Sequence, residues 1–211
     1  MPCYHPLDAA RTAAGIIIFH RNHSNIVEVL KLPCGQCVGC RLERSRQWAI
    51  RCVHEASLYD DNCFITLTYR DADLPADMSL NLKHFQKFMK RLRKRFGSGI
   101  RFYHCGEYGT LLGRPHYHAC IFNFDFPDKK LFTIRDGINL YTSQALDELW
   151  PYGFSTIGSV TFESAAYTAR YIMKKINGDA AKDHYEYVNP STGEISLRKP
   201  EYTTMSRLPV S

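Results

Sequence analysis

Apolar and polar positions change period several times along the chain, and each change marks an element. Cys63-Phe64-Ile65-Thr66-Leu67-Thr68-Tyr69 is β-branched and aromatic throughout and predicts a strand. Leu82, Phe85, Phe88, Met89, Leu92 and Phe96 recur at helical spacing and predict a helix from Asn81 to Phe96, closed by Gly97 and Gly99. Residues 101–108 and 115–124 predict two strands joined as a hairpin through Gly109 to Arg114. Residues 125–142 look like an insertion of weak strand character. Ser143 caps a short helix ending at Trp150, and Gly153 to Val160 is another strand. Thr161 or Ser164 caps a last helix that runs to about Lys175, with Gly178 after it. Upstream, 16–19 and 26–32 are short strands, and 41–58 is a helix whose inward face is Leu42, Trp48, Ala49, Cys52 and Ala56. The tail from Ala180 is mixed and polar, with a turn at 189–193.

From Cys63 onward the order is strand, helix, strand, strand, helix, strand, helix. That order predicts an α+β fold of split β-α-β type, with a central antiparallel sheet and helices packed on it. Helices on one face leave the other open to a ligand. Three segments are expected: a Cys-rich extension and helix over 1–60, a core over 61–179, and a tail over 180–211. The 211 residues suffice for one sizeable core. No apolar stretch is long enough to span a bilayer, and the first residues lack a signal-peptide profile. A cytoplasmic protein with reduced cysteines is therefore expected. The net charge of +6 permits a nucleic-acid partner without requiring one.

The sharpest chemical signal is Pro115-His116-Tyr117-His118. Side chains two apart in a strand share a face, so His116 and His118 can grip one metal ion while Tyr117 points away. Glu107 lies across the hairpin and is the expected third ligand. Two imidazoles and a carboxylate leave positions open for water and a phosphate oxygen, a set suited to catalytic Mg²⁺ or Mn²⁺. A His-x-His on its own is more often a pair of ordinary strand histidines; Glu107 and a downstream tyrosine helix reverse that balance. In that helix Tyr167 and Tyr171 stand at i and i+4 and share a face, with Lys174 one turn on. A Tyr-x-x-x-Tyr alone is usually packing, so the constellation carries more than either part.

Cys34-x-x-Cys37-x-x-Cys40 is tighter than a zinc ribbon. With Cys3 or His5 as a fourth ligand, or Cys52 or His54, it is a candidate structural zinc site. Three reduced thiols on a tight turn explain the spacing equally well, and an iron–sulfur cluster is a remote third reading. Lys87, Lys90, Arg91 and Lys94 on the basic helix, with Arg114 and Lys175, form the candidate DNA-contacting set. A solvated helix face accounts for the helix lysines as well. Tyr103 and Tyr117 are candidates for stacking on bases, against the commoner fate of burial.

Three segments now stand in order: Phe64-Ile65-Thr66-Leu67-Thr68-Tyr69, then Glu107 with His116-Tyr117-His118, then Tyr167-x-x-x-Tyr171-x-x-Lys174. The chain resembles the HUH endonucleases that start rolling-circle replication. It is most similar to the replication initiators of microviruses of the gokushovirus group. Pro33 to Cys40, Arg46 to Arg51, Gly106 to Gly109 and Arg114 to His118 carry that likeness, which covers nearly the whole chain. The resemblance implies a ferredoxin-like HUH core and metal-dependent nicking and joining of single-stranded origin DNA in the host bacterial cytoplasm. It implies a 5′-phosphotyrosyl intermediate, with host helicase and polymerase as partners. Tyr171, three residues before Lys174, matches the Tyr-x-x-Lys form and ranks first as nucleophile, with Tyr167 second. Two rivals remain: a non-catalytic, zinc-stabilised nucleic-acid-binding protein, and a related tyrosine transposase.

Overall fold

Leu7–Thr12 (β1), Ile17–Ile18 (β2) and Ile26–Leu32 (β3) pair into a small antiparallel sheet in the order β2-β1-β3. The computed structural model describes residues 3–19, 25–171, 175, 176, 178, 180–190 and 192–207. Two units separate by their internal contacts, Met1–Gln47 and Trp48–Ser211. Helix α1 (Val38–Ala56) begins in the first and ends in the second. In the small sheet only Ala9 and Ala10 are buried apolar side chains, while Leu7, Ile17, Val27 and Val29 are exposed. Strand β1 was not legible in the pattern, because Leu7-Asp8-Ala9-Ala10-Arg11-Thr12 lacks the aromatic and β-branched run that marks a strand.

The second unit is built on Asn62–Thr68 (β4), Leu82–Phe96 (α2), Arg101–Tyr108 (β5), Pro115–Phe122 (β6), Lys130–Arg135 (β7) and Ile138–Thr142 (β8). Gln144–Leu149 (α3), Ser155–Gly158 (β9), Phe162–Arg170 (α4) and Ala180–Tyr185 (α5) follow. Glu186–Val188 (β10) and Ile195–Leu197 (β11) form a separate hairpin, and Tyr202–Met205 (β12) comes last. The main sheet has seven strands in the order β12-β5-β6-β4-β9-β8-β7, and every pairing is antiparallel. The expected α+β order is present, with the 125–142 segment supplying β7 and β8 at one edge. The tail supplies β12 at the other edge, which its four residues gave no sign of. That strand exists because Tyr202 pairs with Gly106 and Met205 with Tyr103.

Alternation along the strands sorts the core into two layers. Ile65 and Leu67 of β4 and Tyr117, Ala119 and Ile121 of β6 face Phe85, Phe88, Met89 and Leu92 of α2 and Leu146, Leu149 and Trp150 around α3. Tyr103 of β5 and Cys120 and Phe122 of β6 face Ala49 and Cys52 of α1 and Ala165 and Ala169 of α4. The expectation of one open sheet face is thus corrected: α1 and α4 cover part of the second face, because their small residues bury its apolar positions. Tyr103 and Tyr117 are fully buried and face no base; Tyr103 stacks on Trp48 at 4.9 Å, and the Tyr117 hydroxyl is held at Asn81. Asn81 caps α2 by accepting from the Lys83 N–H. Thr161 and Ser164 make a reciprocal capping box at the start of α4. Gly153 lies against the end of β4, where an added Cβ would come within 2.4 Å of the Thr68 carbonyl oxygen.

Candidate metal and tyrosine site

The register of the β5–β6 hairpin sets the site. Glu107 stands directly opposite His116, and Cys105 opposite His118. On the other side of β6, Thr66 of β4 stands opposite His118 and Thr68 opposite His116. All these positions point to the α4 face of the sheet. Gly113 closes the connecting turn with φ at +60°, a conformation that glycine adopts without strain.

Both histidines turn their Nε2 atoms onto one carboxylate oxygen. His116 Nε2 is 2.7 Å from Glu107 Oε1, and His118 Nε2 is 2.9 Å from the same atom. One ligating atom from each residue lies within 4.8 Å of the others. The opposite ring nitrogens are also held. His116 Nδ1 is 3.1 Å from the Arg114 carbonyl oxygen, and His118 Nδ1 is 3.0 Å from Thr66 Oγ1. A carbonyl only accepts, so His116 Nδ1 carries the hydrogen, and in the neutral ring Nε2 then has the lone pair. That lone pair faces a carboxylate oxygen, a contact of two acceptors that needs a proton or a cation between them. Two imidazole nitrogens and one carboxylate oxygen thus fit a divalent ion, with outer partners fixing the ring orientations.

Electrostatics follow the same geometry. Burial pushes the Glu107 carboxyl up, but the hydrogen bonds and positive charge it meets from His116 and His118 when those rings carry a proton on Nε2 outweigh that and hold it at about 2. The residue is 1% exposed, so its charge is held inside the fold.

Helix α4 delivers the tyrosines. The Tyr167 hydroxyl donates to Glu107 Oε1 at 3.3 Å. The Tyr171 ring lies stacked on His118 with centroids 6.0 Å apart, and the two tyrosine rings meet edge-on at 5.0 Å. Burial is the main cause that raises both phenol groups, and the Glu107 charge raises them further. Tyr167 is partly exposed and Tyr171 is buried. A cleft of about 410 Å³ is lined by Glu107, His116, Tyr167, Tyr171, Arg114 and Thr68, among others. Helix α4 is described over Phe162–Arg170 with Tyr171 at its C-cap, and residues 172–174 of the helix expected to run to about Lys175 are not among the described residues. Lys174 lies outside the described residues.

The other expected site residues are dispersed. Arg114 reaches the cleft and donates to the Tyr69 carbonyl at 2.8 Å, while also pairing with Asp71. Lys87, Lys90 and Lys94 are exposed on α2, across the sheet from the triad, because α2 buries its apolar stripe on the opposite face. Arg91 is engaged with the Leu149 carbonyl at 2.6 Å. Lys175 is half-buried. Thr66 was not singled out from the sequence as a site residue; its place in the alternation of β4 was the available signal.

The family model for replication-associated protein ORF2/G2P matches residues 62–176, more than half of the chain. The chain belongs to that family. The match agrees with the resemblance to microvirus replication initiators read from the motifs. This ORF2/G2P member is 38% identical over 194 residues to replication-associated protein VP4 of Bdellovibrio phage phiMH2K, covering 87% of this chain and 61% of that one. It is 36% identical over 197 residues to replication-associated protein ORF2 of Spiroplasma virus 4, covering 83% and 62%. With replication-associated protein ORF4 of Chlamydia phage 1 the identity is 33% over 154 residues, covering 68% and 38%. The chain therefore spans about three fifths of the length of the first two relatives. No solved structure matches. Among the described residues, no helix is long and apolar enough to cross a membrane.

Proposed function

We propose that this chain acts in phage DNA replication as a nicking and joining enzyme for single-stranded origin DNA, in the host bacterial cytoplasm. The observation that carries the reading is one cleft lined by Glu107, His116, Tyr167 and Tyr171, with His118 completing the donor set on the same Glu107 oxygen. Glu107, His116 and His118 would hold Mg²⁺ or Mn²⁺. Such an ion supplies positive charge that polarises the scissile phosphate and offsets the carboxylate beside the phenols. A tyrosine hydroxyl attacks the phosphorus, and its proton leaves to solvent or a nearby base. The P–O3′ bond breaks, giving a 5′-phosphotyrosyl link and a free 3′-hydroxyl that can prime synthesis. The link conserves the bond energy, so reversal by a 3′-hydroxyl closes a circle without ATP.

Two tyrosines on one helix face support alternating cuts. Tyr171 takes the first on its Tyr-x-x-Lys spacing, and Tyr167 takes the second. Arg114, at the cleft, is suited to pair with a backbone phosphate. Recruitment of a host helicase and polymerase belongs to the same reading.

The test is a denaturing gel of the protein with labelled single-stranded origin DNA and Mn²⁺, with and without EDTA. The expected result is a covalent adduct that needs metal and disappears in His116→Ala. Cleavage with no adduct would remove the tyrosines from the mechanism. Tight binding with neither cleavage nor adduct would favour a non-catalytic DNA-binding protein. An adduct confined to hairpin ends, dependent on one tyrosine alone, would favour a transposase.

A further inference from the structure

Away from the triad, the first unit contains a second group of metal-ligand side chains. Cys3, Cys34, Cys37 and Cys40 bring their four sulfurs within 4.8 Å of one another. None of the four forms a disulfide. Cys3 Sγ is 3.8 Å from Cys37 Sγ, and Cys34 Sγ is 4.0 Å from Cys40 Sγ. In a tetrahedral zinc–thiolate centre, with bonds of about 2.3 Å, the sulfurs stand about 3.8 Å apart. A disulfide would instead need about 2.05 Å. These two spacings match the edge of such a tetrahedron, and the other sulfur pairs stay within 4.8 Å.

The backbone supports anionic sulfur. The Cys37 N–H points at Cys34 Sγ at 3.3 Å, the Cys34 N–H at Cys3 Sγ at 3.3 Å, and the Tyr4 N–H at Cys37 Sγ at 3.4 Å. Amide donors around thiolates are the outer-shell pattern of a cysteine metal site. Of the fourth ligands open from the sequence, Cys3 is the one the fold brings in. Cys52 is buried among Ala49, Tyr103 and Phe122, and His5 and His54 are exposed and outside the group.

The first unit also needs such a tie. Its sheet buries two alanines and leaves Leu7, Ile17, Val27 and Val29 exposed. An apolar core that small offsets little of the entropy of ordering the chain, and units of this size commonly rely on metals or cross-links. We propose that Cys3, Cys34, Cys37 and Cys40 bind one structural zinc ion as thiolates, and that this ion holds the β2-β1-β3 sheet together by joining residue 3 to the start of α1. The site is distinct in ligands and role from the Glu107-His116-His118 group, and the inference stands whether or not the chain nicks DNA.

The test uses the full chain purified without chelator, with zinc as the probe. Metal analysis and native mass spectrometry are expected to find one zinc per chain, retained in the His116→Ala/His118→Ala double variant. Exchange with Co²⁺ should give the strong visible bands and thiolate charge-transfer absorption of a tetrahedral sulfur site. Cys3→Ser and Cys37→Ser should each lose most of the zinc. Stripping the metal should speed amide exchange in residues 7–12 and 26–32 by about tenfold or more, and leave 62–68 and 115–122 slow. The unmodified chain is informative even where a variant fails to fold. The proposal is overturned by a zinc-free chain whose 7–12 and 26–32 amides are already protected. It is equally overturned by zinc that leaves with the histidines, by iron and sulfide in place of zinc, or by full retention in Cys3→Ser.

Discussion

Replacing Thr66 by valine exchanges one hydroxyl for a methyl group and isolates the role of His118 orientation. Valine keeps the β-branched shape that suits β4, and Thr66 is only half-buried, so the strand should persist. In the wild type Thr66 Oγ1 lies 3.0 Å from His118 Nδ1, and His118 is buried. For Nε2 to offer a lone pair to a metal, Nδ1 must carry the hydrogen and Thr66 must accept it. The valine variant removes that acceptor. The ring then either keeps a buried N–H without it, at about 1–3 kcal/mol, or moves the proton to Nε2. The second outcome satisfies Glu107 at 2.9 Å but closes the ligating nitrogen. Both weaken metal binding while sparing the fold. Loss of such an outer partner typically costs about 10–100-fold in affinity, which is about 1.4–2.7 kcal/mol. The assay is nicking rate against Mn²⁺ concentration, with calorimetric titration of the metal and a melting curve alongside. The expected result is a half-saturating Mn²⁺ concentration raised about 10–100-fold, a nearly unchanged Tm, and recovery in Thr66→Ser. An unchanged half-saturation in Thr66→Val would refute the tautomer argument.

Three further outcomes follow from the same geometry. Tyr171→Phe should abolish the first cleavage, while Tyr167→Phe should cut once and fail to circularise; normal nicking by Tyr171→Phe on a labelled origin strand would reverse the order. The Glu107 carboxyl is held at about 2 against an ordinary 4.5, so its stabilisation is present above about pH 4.5 and lost as the pH falls toward 2. Acid unfolding followed by circular dichroism should show Glu107→Gln with a shallower fall in that window, the wild type losing up to about 3 kcal/mol there, and matching curves would sink the assignment. Arg114→Gln should weaken single-strand binding, and lower its salt slope by about one, more than Lys87→Gln, Lys90→Gln and Lys94→Gln together; fluorescence anisotropy across a salt series measures both.

Local pattern and short spacing were enough for much of this protein. The alternation in β4 and β6 put His116 and His118 on one face because a strand has no other way to place residues two apart. The apolar stripe of α2, the cap at Ser143 and the i, i+4 tyrosines of α4 follow from helix periodicity in the same local way. Strand pairing was different. The pairing of Glu107 with His116 was expected from the hairpin, but nothing local announced that β4 would bring Thr66 to His118, 52 residues away in sequence. The same holds for β12, whose four residues become a sheet edge only by finding β5. It holds too for the basic helix: its apolar stripe was legible, yet which face of the sheet received it was not, and that choice set Lys87, Lys90 and Lys94 opposite the triad. The sequence by itself determined which side chains share a strand or helix face, since backbone geometry dictates that within a few residues. Only the tertiary structure decided which faces meet, and therefore that Cys3, not Cys52 or a histidine, joins Cys34, Cys37 and Cys40, because long-range register and burial are settled by the packing of the whole chain.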